Sequence, residues 1–231
     1  MTNPAVPIPD GSLVRTAIQL GFTLPPDAEG QIATFGRMLY ETNTHTNLTR
    51  IPESDYMTLH VLDCLAIGLC REFHQAHSVI DVGTGAGLPG ILLAIAMPQT
   101  EFLLIDARSK KIDFVKAVIS ALGIANARAL HIRAEDHPRS TAVQFDMAVS
   151  RATGPLERVL TATAGLVKRS GMVAVWKGPG LTAELAGAGT GPRGDLQRVI
   201  ELTLPGTDIC RRIALFRSRT PEPRRAKGKV G

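Results

Sequence analysis

Between positions 81 and 90 the chain reads Asp81-Val82-Gly83-Thr84-Gly85-Ala86-Gly87-Leu88-Pro89-Gly90, an acid followed by four glycines. Glycine has no Cβ, so a chain with this spacing can turn sharply and lay its backbone against a ligand. A second acid, Asp106, stands about twenty residues further on, the distance at which a carboxylate can reach a ribose diol. Each charge-assisted hydrogen bond of that kind is worth about 1.5–3 kcal/mol. Asp106 can equally cap a helix starting near Ser109. Two cations complete the candidates. Arg151, in Ser150-Arg151-Ala152, and Lys177, in Trp176-Lys177-Gly178, each follow an apolar run that reads as a strand. Both are expected in one crevice, against a phosphate or a purine edge.

The elements that position these residues alternate. From Ser78 onward, strands are expected at 78–82, 101–106, 127–132, 144–149 and 171–176, and helices at 88–97, 109–123 and 155–168, the rhythm of a parallel sheet covered on both faces. Residues 196–204 and 209–217 read as an antiparallel hairpin turning through Pro205-Gly206-Thr207-Asp208. Leu181 to Gly194 reads as a short helix and a loop. Ahead of the sheet, 13–20, 27–41 and 55–72 carry helical spacing, the last with Leu59, Leu62, Leu65, Ala66 and Leu69 on its buried side. In such a sheet ligands lie at the carboxyl ends of the strands. Ala134 and Glu135, after the third strand, are therefore expected where an adenine edge is read.

The glycine stretch allows two ligands. An acid and Gly-x-Gly-x-Gly resemble the S-adenosylmethionine loop of Rossmann-like methyltransferases. Gly85 to Gly90 also spells Gly-x-Gly-x-x-Gly, a dinucleotide signature, so a nicotinamide-dependent oxidoreductase is the alternative. Five parallel strands closed by an antiparallel hairpin favour the first. The fourth strand is followed by neither Asn/Asp-Pro-Pro-Tyr/Phe, used on exocyclic amines, nor the cysteine that carbon-5 pyrimidine methylation needs.

Composition narrows the setting. The 231 residues fit one α/β domain with a small appendage. Cys64, Cys70 and Cys210 form no Cys-x-x-Cys pair, which argues against a zinc site or disulfide framework and suits a reducing cytoplasm. No basic-then-apolar leader and no membrane-length apolar run is seen, so a cytoplasmic protein is expected, with no membrane and no metal. From Arg211 onward eight basic residues face one acid, Glu222, a balance of +7 against +5 for the whole chain, which leaves the first 210 residues at −2. A tail of this kind contacts phosphates or simply solubilises.

The strings Asn47-Leu48-Thr49, His60-Val61-Leu62-Asp63, Asp81 through Ile91, Ser150-Arg151-Ala152 and Lys177-Gly178 together resemble the ribosomal RNA small-subunit methyltransferase G family, also called glucose-inhibited division protein B. The chain departs from that pattern at Thr42, Leu59, Cys64 and Ala107 to Lys111. The resemblance implies a bacterial, cytoplasmic, S-adenosylmethionine-dependent enzyme that methylates N7 of one guanine in the decoding-centre loop of 16S rRNA. It further implies cofactor contacts at Gly83, Leu88, Ala134, Glu135 and Arg151.

The combined expectation is a class I methyltransferase fold: a seven-stranded, mostly parallel Rossmann-like sheet with an antiparallel C-terminal hairpin. Residues 1–10 are expected to be disordered, 11–74 a helical cap, 75–218 the cofactor-binding domain and 219–231 a basic flexible tail. Gly83, Gly85, Gly87, Leu88, Asp106, Ala134, Glu135 and Arg151 are expected at the cofactor, and Arg151 and Lys177 at the methyl-accepting base. The partner is expected to be 16S rRNA in the small subunit, and the protein a monomer. A non-enzymatic RNA-binding assembly protein is the remaining alternative.

Overall fold

The computed structural model describes residues 13–137, 144–151, 154–163, 165–188, 194–204 and 207–219. The expected disordered start, Ala152, Pro205-Gly206 and the tail beyond Arg219 lie outside those residues. Three parts follow one another: helices α1 (Leu13–Gln19) and α2 (Ala28–Asn43), a broken helical segment from Glu53 to His74, and the sheet.

The sheet runs β1 (Ser78–Val82), β2 (Glu101–Asp106), β3 (Ala127–His131), β4 (Phe145–Ser150), β5 (Val167–Lys177), β6 (Gly194–Thr203) and β7 (Cys210–Ser218). Its spatial order is β3-β2-β1-β4-β5-β7-β6. The first five strands pair in parallel, and β7 lies antiparallel to both β5 and β6. The expected parallel sheet and closing hairpin are both present. Connecting helices are α5 (Gly90–Ala96), α6 (Ser109–Ala121), α7 (Leu156–Thr163) and α8 (Leu181–Ala188).

Alternation along the strands builds two cores. Val79, Phe102, Leu104, Met147, Val149, Ala174 and Trp176 face the helical segments before β1 together with α5 and α6. Ile80, Val82, Ile105, Ala148, Val173 and Val175 face α7 and α8. One residue of register therefore decides which set of helices a side chain meets.

Two expectations are corrected. The helix expected at 55–72 is instead a 3₁₀ turn (Glu53–Asp55), a π-helical stretch (Tyr56–Leu62), α3 (Asp63–Leu65), a 3₁₀ turn (Ala66–Leu69) and α4 (Arg71–His74). It is buried nearly all round from His60 to Gly68, because α1 and α2 press on one side and the sheet on the other. At Gly68 a Cβ would stand 2.1 Å from the Leu20 carbonyl oxygen, so the end of α1 occupies the place of a side chain. Strand β5 begins at Val167, four residues before the expected start, and α7 ends at Thr163. The polar run Lys168-Arg169-Ser170-Gly171 reads as a break in sequence but is an irregularity within the strand. The register with β4 shifts there, and Ser170 takes a positive φ of 65°.

Candidate functional site

The glycine stretch leaves β1 and enters α5, so the loop sits at the carboxyl end of an interior strand flanked by β2 and β4. Asp81 is fully buried beneath it. Its Oδ2 accepts from the Thr84 hydroxyl (2.6 Å) and from the Gly90 amide (2.9 Å), stapling the two ends of the loop. Oδ1 is buried with no partner among the described residues. Burial outweighs these bonds and the nearby Arg151 charge, and pushes the Asp81 carboxyl up to about 7.

The loop glycines have different reasons to be glycine. Gly83, Gly85 and Gly87 all take positive φ, at 74°, 60° and 89°. A Cβ on Gly87 would lie 2.6 Å from Ile91 Cγ1, and one on Gly90 2.7 Å from Asp81 Oδ2, so packing fills both places. A Cβ on Gly85 would meet only Lys111 Nζ, at 3.6 Å, and the Gly83 carbonyl, at 3.9 Å. Protein packing does not demand a glycine at position 85. The bare backbone there is free to receive a ligand.

Asp106 ends β2 beside this loop. Its Oδ2 accepts from the Gly85 amide (2.9 Å) and its Oδ1 from the Arg108 amide (2.9 Å). It thus tethers the loop and also satisfies an amide at the start of α6. Each oxygen keeps lone-pair capacity for a diol. Leu88 and Ala134 are buried, and Glu135 is exposed in a 3₁₀ turn after β3. Lys111, on the first turn of α6, is half-buried over Gly85 and near Asp106; burial lowers the pKa of its ammonium. Only the return of α6 toward the loop shows this.

The two cations do not share surroundings. The register pairs Ser150 with Val175, so Arg151 falls level with Trp176 and on its face, while Lys177 falls on the opposite face. Arg151 turns toward the helical segment. Its Nη2 donates to His60 Nδ1 (2.9 Å), its Nη1 to Cys64 Sγ (2.9 Å), and its Nε stands 3.6 Å from Asp63 Oδ2. Lys177 turns toward α7 and α8, where its Nζ donates to the Gly154 carbonyl (2.6 Å) and to Glu184 Oε2 (2.7 Å). The expected convergence of the two in one crevice is not formed.

Asp63 carries a second arginine: Arg211 Nε donates to its Oδ1 at 3.1 Å, and Trp176 Nε1 donates to its carbonyl at 2.8 Å. Burial raises the Asp63 carboxyl against the pull of both arginines. His60, Asp63 and Cys64 stand at i, i+3 and i+4, the spacing that puts side chains on one helical face. That signal lay in the sequence; what it faces did not.

Comparison with known proteins agrees with the loop and the sheet. The model of the rRNA small subunit methyltransferase G family matches residues 28–200. The chain belongs to that family. It is similar to Ribosomal RNA small subunit methyltransferase G of Chlorobium luteolum, 40% identical over 73% of this chain and 70% of that protein. The protein of the same name from Moorella thermoacetica is 32% identical over 93% of this chain and 92% of its own. Among solved structures, the S-adenosylhomocysteine-bound methyltransferase PaMTH1 of Podospora anserina shares the fold with a TM-score of 0.57, at 14% identity, over 94% of this chain and 99% of that one. As a family member, the chain is an S-adenosylmethionine-dependent rRNA methyltransferase, which decides against the oxidoreductase. Among the described residues no helix is long and apolar enough to cross a membrane, and no cluster of three or more ligating side chains is placed to hold a metal.

Proposed function

We propose that this protein transfers a methyl group to N7 of a guanine in 16S rRNA, acting in the cytoplasm on the decoding-centre loop. The observation that carries the reading is the open backbone at Gly85, held by Asp106 and left unfilled by the protein's own packing. The buried Asp81 Oδ1, without a partner among the described residues, fits the same ligand, because the amino-acid end of S-adenosylmethionine brings a cationic donor. Gly83, Gly85, Gly87 and Leu88 would line its path, Asp106 would take the ribose diol, and Ala134-Glu135 would border the adenine.

When bound, S-adenosylmethionine supplies an electrophilic methyl group on a sulfonium. Guanine N7 has an in-plane lone pair and no proton to lose, so the chain need only orient the base and shape the field. The residues near the end of β4 suit that task. The Ser150 hydroxyl donates to the Val82 carbonyl, and His60 is buried and engaged at both ring nitrogens. Arg151 is a permanent cation, able to donate to the cofactor or to guanine O6 without blocking N7. Lys177, committed to Glu184 and Gly154, would act as a wall of the site and not as a second reader. The basic residues after Arg219 would add phosphate contacts, so removing them should flatten the salt dependence of RNA binding by roughly 0.7 per lost contact. The protein would work as a monomer, with residues 11–74 as a cap on a cofactor domain spanning 75–218.

Calorimetry with S-adenosylhomocysteine and NAD tests the cofactor, and nucleoside analysis of 16S rRNA after incubation tests the base. Binding of the first ligand alone and formation of N7-methylguanosine are expected. Gly85→Val should abolish binding while the domain stays folded. Normal binding by that variant, or a methyl group on another atom, would overturn the reading.

A further inference from the structure

Arg151 offers five N–H donors. Two are taken in hydrogen bonds by His60 and Cys64, and the third, on Nε, faces Asp63 in an ion pair at 3.6 Å, all three partners coming from one short stretch of the segment before the sheet. The two remaining N–H groups lie on the terminal nitrogens, and the side chain keeps 16% of its surface exposed. Which way those two point depends on where the three acceptors stand.

His60 is the acceptor whose chemistry is conditional. Arginine has donors only, so the Nδ1 atom that meets Arg151 must carry a lone pair. The ring proton then sits on Nε2, which faces Thr49 Oγ1 at 2.9 Å. Thr49 is itself fixed. Asn43 Oδ1 accepts from the Leu48 and Thr49 amides (both 2.9 Å), and Asn43 Nδ2 donates to the Thr49 carbonyl (3.1 Å). The Thr49 hydroxyl also accepts from the Ile51 amide at 3.1 Å. Arg151 thus fixes the His60 tautomer, and Thr49, held by Asn43, accepts the Nε2 proton and anchors the ring so that the Nδ1 lone pair meets Arg151. Burial and the Arg151 charge keep the ring neutral, its pKa lowered to about 3.

We propose that His60 and Thr49 are positioning residues for methyl transfer, setting the orientation of the Arg151 guanidinium so that its two unclaimed N–H groups face the bound ligand. This rests on the reading of Arg151 as a ligand contact. The network joins three separated sequence strings, Asn43 to Thr49, His60 to Cys64, and Arg151, into one device.

Two substitutions divide the imidazole. His60→Asn puts an amide oxygen near the place of Nδ1, keeping the acceptor for Arg151 and losing Thr49. His60→Gln reaches the place of Nε2, keeping Thr49 and losing Arg151. Each is measured for melting temperature, S-adenosylhomocysteine affinity and kcat/KM on 16S rRNA. Both should lower the melting temperature similarly. His60→Asn should keep kcat/KM within about threefold, whereas His60→Gln should lose about tenfold or more, the effect of one hydrogen bond to a charged group. Thr49→Val should fall in the same direction and Thr49→Ser restore it, a pair that decides the matter if the His60 variants do not fold. Equal kcat/KM for Asn and Gln at position 60, or no loss in Thr49→Val, would make His60 a packing residue and overturn the proposal. Failure of the unmodified protein to bind S-adenosylhomocysteine, or full activity in Arg151→Met, would instead overturn the site reading beneath it.

Discussion

The ends of β4 and β5 lie side by side in the sheet, each closes on a cation, and the two cations have opposite fates. Arg151 is drawn onto the face of Trp176 and the N-terminal helices, where it spends part of its donor set on a histidine, a thiol and a carboxylate and keeps the rest. Lys177 is drawn onto the face of α7 and α8 and is closed off by Glu184 and the Gly154 carbonyl, its side chain 8% exposed. Glu184 Oε2 also accepts from the Leu156 amide, at 2.6 Å, so this ion pair fastens the start of α7. Equal charge at equivalent strand ends gives one residue with donors to spare and one that stabilises the fold. The difference comes from pleating: Lys177 stands one residue past the register partner of Arg151, and successive side chains point to opposite faces.

Substitution can break this contrast. Arg151→Met should have the largest effect, lowering kcat/KM by about 100-fold through two lost charged hydrogen bonds. Lys177→Met should lower kcat/KM by less than about threefold; its signature should be thermal, a fall in Tm of about 3–6 °C for one to two lost hydrogen bonds. Steady-state kinetics beside calorimetric melting decides, and the reverse pattern would mean that the two faces have been given the wrong roles. Asp106→Ala sets the scale between these two. It should weaken S-adenosylhomocysteine binding by about tenfold, from one charge-assisted bond, as read by titration calorimetry. An unchanged affinity would leave Asp106 only its ties to Gly85 and Arg108.

The smallest effect expected is a flat one. Burial lowers His60 to about 3, so the unfolded chain holds a proton there that the folded chain does not; this favours the fold above pH 6.5 and is lost as pH falls. Burial raises Asp81 to about 7, so the folded chain holds a proton that the unfolded chain does not; this favours the fold at low pH and is lost as pH rises toward 7. Between pH 4 and 6.5 the two slopes oppose, and the stability they control should barely move. Asp63, also raised by burial, adds to the Asp81 side. Denaturant titrations across this range should show a steep acid loss in Asp81→Asn and the opposite trend in His60→Asn. Parallel profiles for all three proteins would show that neither group is held as its surroundings require.

The glycine loop, the order of strands and helices, and the closing hairpin were legible because each depends on local chemistry. Apolar alternation sets a strand, and Gly-x-Gly-x-Gly permits positive φ where a side chain would strain the backbone. The 3₁₀ turn around Gly68 and the true start of β5 were not legible. Both depend on what presses from outside: the Leu20 carbonyl against Gly68, and β4 against the irregularity at Ser170.

By itself, then, the sequence determined which residues could do chemistry: the bare backbone at Gly85, the acids Asp81 and Asp106, and a cation at each of two strand ends. Only the tertiary structure decided which of them stay available. Sheet register sent Arg151 and Lys177 to opposite faces, and α6 brought Lys111 over Gly85. The N-terminal helices set His60, Asp63 and Cys64 around one guanidinium. Side-chain type is written in the chain, but a partner distant in sequence is supplied only by packing, and packing determines whether a charge is spent or kept.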